Sequence, residues 1–316
     1  MDFAEKTSVV LGGRGFIGSH LIDLLLQRGS KVKCFDRPLV QPVLGAVART
    51  EGLSFIDGDF TSKSDVMRAI AGCDYCFHLV STTVPKSSND DPVYDVESNL
   101  LSTVKMLEDA VAAGVRKIIF ASSGGTVYGI PERIPIAEQH PTNPVCSYGI
   151  SKLATEKYLE LFRLQRGLEY GVVRLANPFG ERQRTEAAQG AVAVFLAKAL
   201  RAETIEIWGD GSVVRDYIHI SDVVEAMAAL ALHEGGPRVF NIGSGTGTSI
   251  NTLLDKIETV LGSKVRRKYM SARPFDVPVN VLDIELAQSA LGWSPRVTFD
   301  EGLQRSARWL QNELKL

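Results

Sequence analysis

A glycine-rich turn near the start of the chain constrains the fold more than any other feature. Gly13, Gly15 and Gly18 satisfy a G-x-G-x-x-G pattern, and Gly12 adds a G-x-x-G-x-x-G spacing. An apolar run at residues 8–11 precedes the turn. The helix that follows carries an apolar stripe made of Phe16, Ile17, Leu21, Leu24 and Leu25. Glycines between a strand and a helix allow a tight turn and bring the helix N-terminus close to a pyrophosphate. The segment therefore predicts a dinucleotide-binding turn.

Strand-like and helix-like segments alternate after this turn. Short runs rich in β-formers occupy residues 31–35, 53–56, 75–80 and 117–121. One long amphipathic helix is predicted between the last two runs, from an apolar spacing of three or four at Val93, Val96, Leu100, Val104, Leu107 and Val111. Alternation of this kind predicts a parallel sheet with helices on both faces.

The predicted fold class is therefore α/β, a Rossmann-type doubly wound parallel sheet with a smaller C-terminal α+β substrate lobe. The regular alternation fades after about residue 175, where Gly and Pro interrupt shorter elements. We expect residues 1–175 to form the nucleotide-binding domain and residues 176–316 to form the substrate-binding lobe. Segments such as residues 169–175 and 239–242 are expected to return to the main sheet.

Composition excludes several classes of partner. The 316 residues carry a net charge of −2 without a basic block, so we expect no nucleic acid. No apolar run reaches the roughly 20 residues of a membrane helix, and the N-terminus lacks the shape of a signal peptide. Cys73 and Cys76 have C-x-x-C spacing, but no second pair or histidine cluster completes a metal site. The sequence predicts no metal, no membrane contact and a reducing, cytoplasmic location.

Asp36 ends the second predicted strand and indicates which dinucleotide binds. An acidic residue there accepts hydrogen bonds from the adenosine ribose and repels a 2′-phosphate, which favours NAD over NADP. Arg37 follows and could contact a phosphate, which weakens the preference for NAD without reversing it. The plainer alternative is that Asp36 is a solvated residue before Pro38.

Tyr148 and Lys152 lie four residues apart, so they share one face of a helix. A tyrosine with a pKa near 10 is a poor base, and a pKa of about 7 requires roughly 4 kcal/mol of preference for the phenolate. A nearby ammonium and an oxidised nicotinamide would favour the phenolate. A lone Y-x-x-x-K pattern more often marks an ordinary helix. Downstream of a dinucleotide turn, it predicts a tyrosine base.

From Val9 to about Trp309, the chain resembles the extended short-chain dehydrogenase/reductase family, and most closely its NAD-dependent nucleotide-sugar 4-epimerases. The matching segments are residues 12–20, 77–79, 122–129, 148–152, 174–180 and 215–219. This resemblance implies that a UDP-sugar, a hexose or an N-acetylhexosamine, is oxidised at C4. Tyr148 would take the hydroxyl proton while hydride moves to bound NAD. The 4-keto sugar would rotate and take the hydride back on its other face.

The same resemblance assigns residues to the cofactor. Asp59 would contact the adenine, next to Phe60, and Lys152 would hold the nicotinamide ribose. The remaining residues implied for NAD are Gly12, Gly15, Phe16, Ile17, Gly18, Asp36, Arg37, Leu79, Val80, Ser81, Asn99, Ser122 and Tyr148. Several of them also suit strand ends or a helix face without any ligand.

Substrate contacts and a dimer are implied in the same way. Arg215 and Arg273 would bind the diphosphate, Asn177 a phosphate or sugar oxygen, and Asp276 the ribose. The nucleotide base would stack beside Glu206 and Ile207. In the 4-epimerases that accept only hexoses, a bulky residue stands at the position of Asn280. The smaller Asn280 therefore implies room for an N-acetyl group. Helices near residues 92–113 and 148–165 would pair in a homodimer, and such enzymes often supply polysaccharide synthesis.

One position departs from the family pattern. A Ser or Thr that bonds the sugar hydroxyl usually stands where this chain has Gly124. Thr126, Ser123 or a water would replace it, with Thr126 favoured. The nucleotide-sugar dehydratases also carry an Asp-Glu pair after this Thr, which is absent here, so elimination would lack its acid and base. A nucleotide-sugar reductase, a dehydratase and a catalytically silent binding protein remain the alternatives.

Overall fold

The computed structural model describes residues 3–38, 51–185, 190–272 and 277–315. Within them, seven parallel strands form the central sheet, in the order β3-β2-β1-β4-β5-β6-β10. In chain order, the strands are β1 (Thr7–Leu11), β2 (Lys31–Asp36), β3 (Leu53–Asp57), β4 (Tyr75–His78), β5 (Lys117–Ser123), β6 (Glu169–Leu175), β7 (Asn177–Phe179), β8 (Ile205–Trp208), β9 (Val214–His219), β10 (Val239–Ile242), β11 (Gly247–Ser249), β12 (Arg267–Met270) and β13 (Val279–Asn280). This order confirms the predicted Rossmann-type sheet and puts a ligand crevice where the order reverses, beyond the carboxyl ends of β1 and β4.

Helices cover both faces of the sheet, which explains why strands such as β4 are buried along their whole length. The α-helices in the described ranges are α1 (Phe16–Gln27), α2 (Lys63–Ile70), α3 (Pro85–Asp90), α4 (Pro92–Asp95), α5 (Ser102–Ala112), α6 (Ser147–Arg166), α7 (Ala191–Leu200), α8 (Ile220–Leu232), α9 (Ile250–Leu261), α10 (Glu285–Leu291) and α11 (Phe299–Leu314). Helices α1 and α8 pack on one face, and α2, α5 and α6 pack on the other. No helix of these described ranges is long and apolar enough to cross a membrane.

The smaller part of the molecule is built by elements that follow β6, which include helices α7, α9 and α11. Strand β9 pairs with β11, β13 and β7, while β8 pairs with β12. A separate apolar cluster around Phe179, Leu196, Leu253 and Leu303 holds this part together. Strand β10 instead joins the central sheet, parallel to β6, so the chain crosses back after the first smaller strands.

The long helix predicted around residues 93–111 differs from expectation in its first half. A π-helical segment, Val96–Leu101, joins α4 to α5 and shifts the helical phase. Val93 and Val96 are therefore 67% and 42% exposed, whereas Asp95 is fully buried. The apolar stripe of the predicted amphipathic helix is thus exposed at its first two valines, and a polar stripe faces inward there instead.

Candidate active site

The glycine turn between β1 and α1 leaves no room for side chains. Gly12 has a φ of +86°, and a Cβ on Gly18 would lie 2.3 Å from the Gly12 carbonyl oxygen. Gly15 is the N-cap of α1 and brings no side chain to that end of the helix. The first-turn N–H groups of a helix lack partners within the helix. The turn therefore offers a close-fitting cradle for a negatively charged group.

Asp36 stabilises this turn at the end of β2. One carboxylate oxygen accepts a hydrogen bond from the backbone N–H of Arg14 at 2.9 Å, and the other accepts one from the backbone N–H of Arg37 at 2.8 Å. The Arg14 guanidinium is occupied elsewhere, since it donates to Asp57 at 2.6 Å and to the Arg37 carbonyl at 2.9 Å. Asp36 thus places a carboxylate beside the turn, where an adenosine ribose would lie.

Substituting Asp36 tests this placement. We expect Asp36→Ala to weaken NAD binding about 10- to 100-fold, because a hydrogen bond to a charged group is lost. The variant should also have a smaller preference for NAD over NADP. Calorimetric titration with each dinucleotide measures both effects. Asp90→Ala, an exposed aspartate, is the control. Unchanged NAD affinity in Asp36→Ala would remove Asp36 from the cofactor site.

Tyr148 and Lys152 come together in the first turns of α6, as predicted. The Lys152 ammonium lies 5.4 Å from the centre of the Tyr148 ring and 4.8 Å from that of Phe120. It donates to the Ala121 carbonyl at 3.0 Å. Both side chains also line a small cavity, together with His78, Ser81 and Asn99. The tyrosine and lysine therefore share one pocket beyond the carboxyl end of the sheet.

Burial sets the pKa values of this pair in the protein alone. It raises the pKa of Tyr148 to about 12, against a smaller opposing effect of a hydrogen bond with Ser81. It lowers the pKa of Lys152 to about 8, against the attraction of Asp95 and Glu156. The expected lowering of the Tyr148 pKa is therefore absent in the protein alone, where burial dominates. A further positive charge in the pocket is needed to favour the phenolate.

The departure at Gly124 has a steric cause. A Cβ on Gly124 would lie 2.6 Å from a methyl carbon of Leu282, so no Ser or Thr fits there while Leu282 keeps its place. Thr126 follows in the same loop, and its hydroxyl is buried without a hydrogen-bond partner among the described residues. A buried polar atom without a partner is costly and is usually satisfied by a ligand or water. The arrangement favours Thr126 over Ser123 as the replacement hydroxyl.

These features fit a nicotinamide dinucleotide. The cradle at Gly18 would suit a pyrophosphate, Asp36 would suit a ribose, and Lys152 lies near the tyrosine that would face the nicotinamide. Residues 8–243 match the model of the NAD dependent epimerase/dehydratase family. The chain belongs to this family.

Relatives within the family share nearly the full length of the chain. A putative UDP-glucose 4-epimerase of Methanocaldococcus jannaschii is 35% identical, with 96% of this chain and 98% of that protein covered. The crystal structure of UDP-glucose 4-epimerase from Thermotoga maritima with UDP-glucose superposes with a TM-score of 0.91 at 35% identity, covering 98% and 99%. A dTDP-4-dehydro-6-deoxyglucose reductase of Escherichia coli is 32% identical, covering 96% and 98%.

The other residues expected around the cofactor lie along the same edge of the sheet. Leu79, Val80 and Ser81 follow β4, and a Cβ on Gly12 would lie 3.3 Å from the backbones of Leu79 and Val80. Asp59 is exposed and its carboxylate accepts from the N–H and hydroxyl of Thr61, which lowers its pKa. Phe60 is buried against His78. Asp59 is therefore already hydrogen-bonded within its own loop.

Ser122 and Asn99 are engaged within the protein. The Ser122 hydroxyl donates to the buried carboxylate of Glu156. The Asn99 side chain accepts from the N–H of Thr82 at 2.9 Å and donates to Asp95 at 3.1 Å. Any effect of Ser122 and Asn99 on the nicotinamide would therefore be indirect, through the protein groups to which they are hydrogen-bonded.

The expected substrate residues lie in the smaller part of the molecule, with unequal access. Asn177 donates to the Asp216 carbonyl at 3.0 Å, and Arg215 donates to the Val277 carbonyl at 2.7 Å. On β8, Glu206 is exposed and pairs with a lysine, whereas the Ile207 side chain is 2% exposed within a small apolar cluster. Only the backbone of Ile207 could meet a ligand. The predicted residues Arg273 and Asp276 lie outside the described residues.

Asn280 is buried rather than open. Its side chain is 1% exposed and donates to the Gly124 carbonyl at 3.1 Å, while its own oxygen has no partner among the described residues. It therefore supports the loop that carries Thr126, in addition to any effect of its size on a sugar.

Sequence reasoning missed Asp95. It stands in a polar stripe with Ser98, Ser102 and Thr103, at helical spacing and buried. This stripe was the available signal, but the helix was predicted from the apolar stripe beside it, which is as regular. The described ranges contain no group of three or more His, Cys, Asp or Glu side chains that could hold a metal ion.

Proposed function

We propose that this protein is an NAD-dependent UDP-sugar 4-epimerase. The observation that carries the proposal is the shared pocket of Tyr148 and Lys152 beside the glycine turn. The likeness to UDP-glucose 4-epimerases over nearly the whole chain supports it. We assign the nucleotide-binding domain to residues 1–175 and the substrate-binding lobe to residues 176–316.

The chain's own residues divide the work as follows. NAD, held at the glycine turn and beside Asp36, would supply the reversible hydride transfer at C4 of the sugar. The Tyr148 phenolate oxygen takes the proton of the C4 hydroxyl and gives it back. Lys152 favours the phenolate by its charge and orients the nicotinamide ribose. Thr126 holds the sugar hydroxyl toward Tyr148, and the loop has no carboxylate at Gly124 or Gly125 to expel water.

The diphosphate is assigned to arginines of the substrate-binding lobe. Planar guanidinium groups match phosphate oxygens in two parallel hydrogen bonds. Strand β7 pairs with β9, and the register partner of Asn177 is Tyr217, two residues after Arg215, which supports a shared phosphate site. Arg273 would complete it, and Asp276 would hold the ribose of the UDP.

Proton NMR with UDP-N-acetylglucosamine, and separately UDP-glucose, tests the function without added NAD. Appearance of the matching galacto sugar would establish C4 epimerisation with a retained cofactor. A 4-keto-6-deoxy product would make the protein a dehydratase. No change with either sugar, nor with other sugar nucleotides, would contradict the proposal.

A nucleotide-sugar reductase is the second candidate, favoured by the 32% identity to the Escherichia coli reductase. A reductase consumes its cofactor and must exchange it in every cycle. Stoichiometric oxidation of added NADH or NADPH by a 4-keto sugar nucleotide would support this candidate. Retention of NAD through purification would count against it.

A homodimer is also proposed, because apolar side chains are exposed along two neighbouring helical segments. On α4, the π-helical segment and α6, those at least 37% exposed are Val93, Tyr94, Val96, Leu101, Ile150, Tyr158, Leu161 and Leu164. Exposed apolar side chains grouped on neighbouring helices are typical of an interaction surface, and a second copy offers the same side chains in a two-fold arrangement.

Leu101→Asp and Leu161→Asp together are expected to yield a monomer in analytical ultracentrifugation, because two charges would be buried without partners. Ile134→Asp, which replaces an exposed apolar residue outside these helices, should leave the mass unchanged. A wild-type protein that sediments as a monomer at micromolar concentration would overturn the proposed dimer.

A further inference from the structure

Asp95 is a fully buried carboxylate behind the Tyr148 and Lys152 pocket. One of its oxygens accepts from the Thr83 hydroxyl and from the Asn99 amide, the latter at 3.1 Å. The other accepts from the hydroxyls of Ser147 at 2.9 Å and Ser151 at 2.7 Å. The side chain lies at the end of α4, where the π-helical segment begins. Every donor comes from a neutral side chain.

The two serines give this carboxylate a direct link to the reacting groups. Ser147 immediately precedes Tyr148, and Ser151 immediately precedes Lys152, so one oxygen of Asp95 fixes both positions on α6. The backbone N–H of Tyr148 is separately held by the Ser88 hydroxyl at 3.0 Å. Displacements of about 1 Å in a reacting group can cost a hundredfold in rate. Anchors at both positions therefore bear on catalysis and not only on folding.

The charge of Asp95 also has a consequence for the pocket. No Lys, Arg or His of the described ranges forms an ion pair with it. A buried charge is costly unless it is compensated. Asp95 and Lys152 line the same small cavity, so each lowers the cost of the other.

We propose that Asp95 is a positioning residue for the epimerase reaction, which anchors the first turns of α6 through Ser147 and Ser151 and keeps Lys152 in its ammonium form. This inference rests on the proposed function, in which Tyr148 is the base. It assigns two separable effects to one carboxylate, an anchoring effect through hydrogen bonds and an electrostatic effect through charge.

The other groups around Lys152 make Asp95 the main source of that electrostatic effect. Glu156 faces Lys152 from α6, but it forms a buried ion pair with Arg174 at 2.7 Å, which compensates its charge. His78 faces it from β4, and burial lowers the pKa of this imidazole to about 3, so it is neutral. Burial lowers the pKa of Lys152 to about 8, and Asp95 is the largest influence that raises it. Around Asp95 itself, the other titratable neighbours are Cys146 and Tyr148.

The pH dependence of kcat separates a positioning role from a structural one. In Asp95→Asn, the charge that raises the Lys152 pKa is lost, so the ammonium deprotonates at a lower pH. The alkaline limb of kcat should move to lower pH, with a tenfold loss of kcat above the limb for each unit moved. Asp91→Asn, which changes the exposed N-cap of the same helix, should leave the profile in place. A limb unmoved in Asp95→Asn would overturn the electrostatic effect.

The double variant Ser147→Ala/Ser151→Ala tests the anchoring effect at constant charge. We expect kcat to fall at least tenfold while KM for the sugar nucleotide and the alkaline limb stay in place. Unchanged kcat would overturn the anchoring. This variant also keeps the proposal testable if Asp95→Asn does not fold.

Ultraviolet titration of the Tyr148 phenol, taken as the difference from Tyr148→Phe, is independent of activity. Burial is the main cause that raises the pKa of Tyr148, and the charge of Asp95 adds a smaller effect in the same direction, so the phenolate should form at a somewhat lower pH in Asp95→Asn. A phenol that titrates as in the wild type would contradict the proposal. If wild-type protein epimerises no sugar nucleotide while this shift is seen, the proposed function fails and the coupling of Asp95 to Tyr148 stands.

Discussion

Tyr148→Phe is expected to lower kcat by roughly 10²- to 10⁴-fold, the range contributed by a positioned general base. The substitution removes only the phenol oxygen, so the proton of the C4 hydroxyl has no acceptor. The folded state should be unaffected, because burial opposes ionisation of this phenol and Phe keeps the ring. Thermal unfolding and the NAD content of the purified variant should match the wild type. Activity is measured by the NMR conversion of the sugar nucleotide.

Tyr158→Phe is the matched control, since Tyr158 lies on the same helix with a third of its side chain exposed. Its kcat should equal that of the wild type. Wild-type turnover in Tyr148→Phe would remove Tyr148 from the mechanism. Loss of NAD together with activity would instead assign Tyr148 mainly to binding the cofactor.

The parts of the site whose structure depends only on residues close together in the sequence could be predicted. The turn from Gly12 to Gly18 carries its own steric requirement, and Tyr148 and Lys152 share a face by helical spacing alone. The alternation of strands and helices likewise predicted the Rossmann-type sheet, which is confirmed. In each case the physical cause is local, so a single sequence contains it.

The rest depends on contacts between distant segments. The π-helical segment changes the phase of the helix after Asp95, and no residue pattern in the sequence marks that change. Ile207 alternates with Glu206 on a strand whose buried side is decided by α7 and α9. A Cβ on Gly124 would overlap Leu282, which reaches the loop from beyond β13. Such features follow from packing and could not be read from the sequence.

The overlap of position 124 with Leu282 also bears on which residue replaces the sugar-binding hydroxyl that the family has at this position. Because a Ser at position 124 would overlap Leu282, we expect Gly124→Ser alone to destabilise the fold by about 1–3 kcal/mol through overpacking. The replacement hydroxyl is then that of Thr126, buried and without a protein partner. Loss of one preorganised hydrogen-bond donor in an active site costs about 10²- to 10³-fold in kcat.

Thr126→Val is therefore expected to lower kcat by roughly 10²-fold or more without lowering the thermal unfolding temperature. Valine keeps the shape of threonine, and the lost hydroxyl makes no hydrogen bond that holds the fold. Ser123→Ala is the control, and it should retain most of its activity. A large loss in Ser123→Ala with none in Thr126→Val would transfer the role to Ser123.

A second-site combination tests the steric argument in the same loop. Gly124→Ser with Leu282→Ala removes the overlap, so the Ser hydroxyl can occupy its family position. Added to Thr126→Val, this pair should recover part of the lost kcat, whereas Gly124→Ser or Leu282→Ala alone should not. Such a non-additive gain requires that the two positions interact directly. If the triple variant folds but is no more active than Thr126→Val, a hydroxyl at position 124 cannot take over the role of the Thr126 hydroxyl.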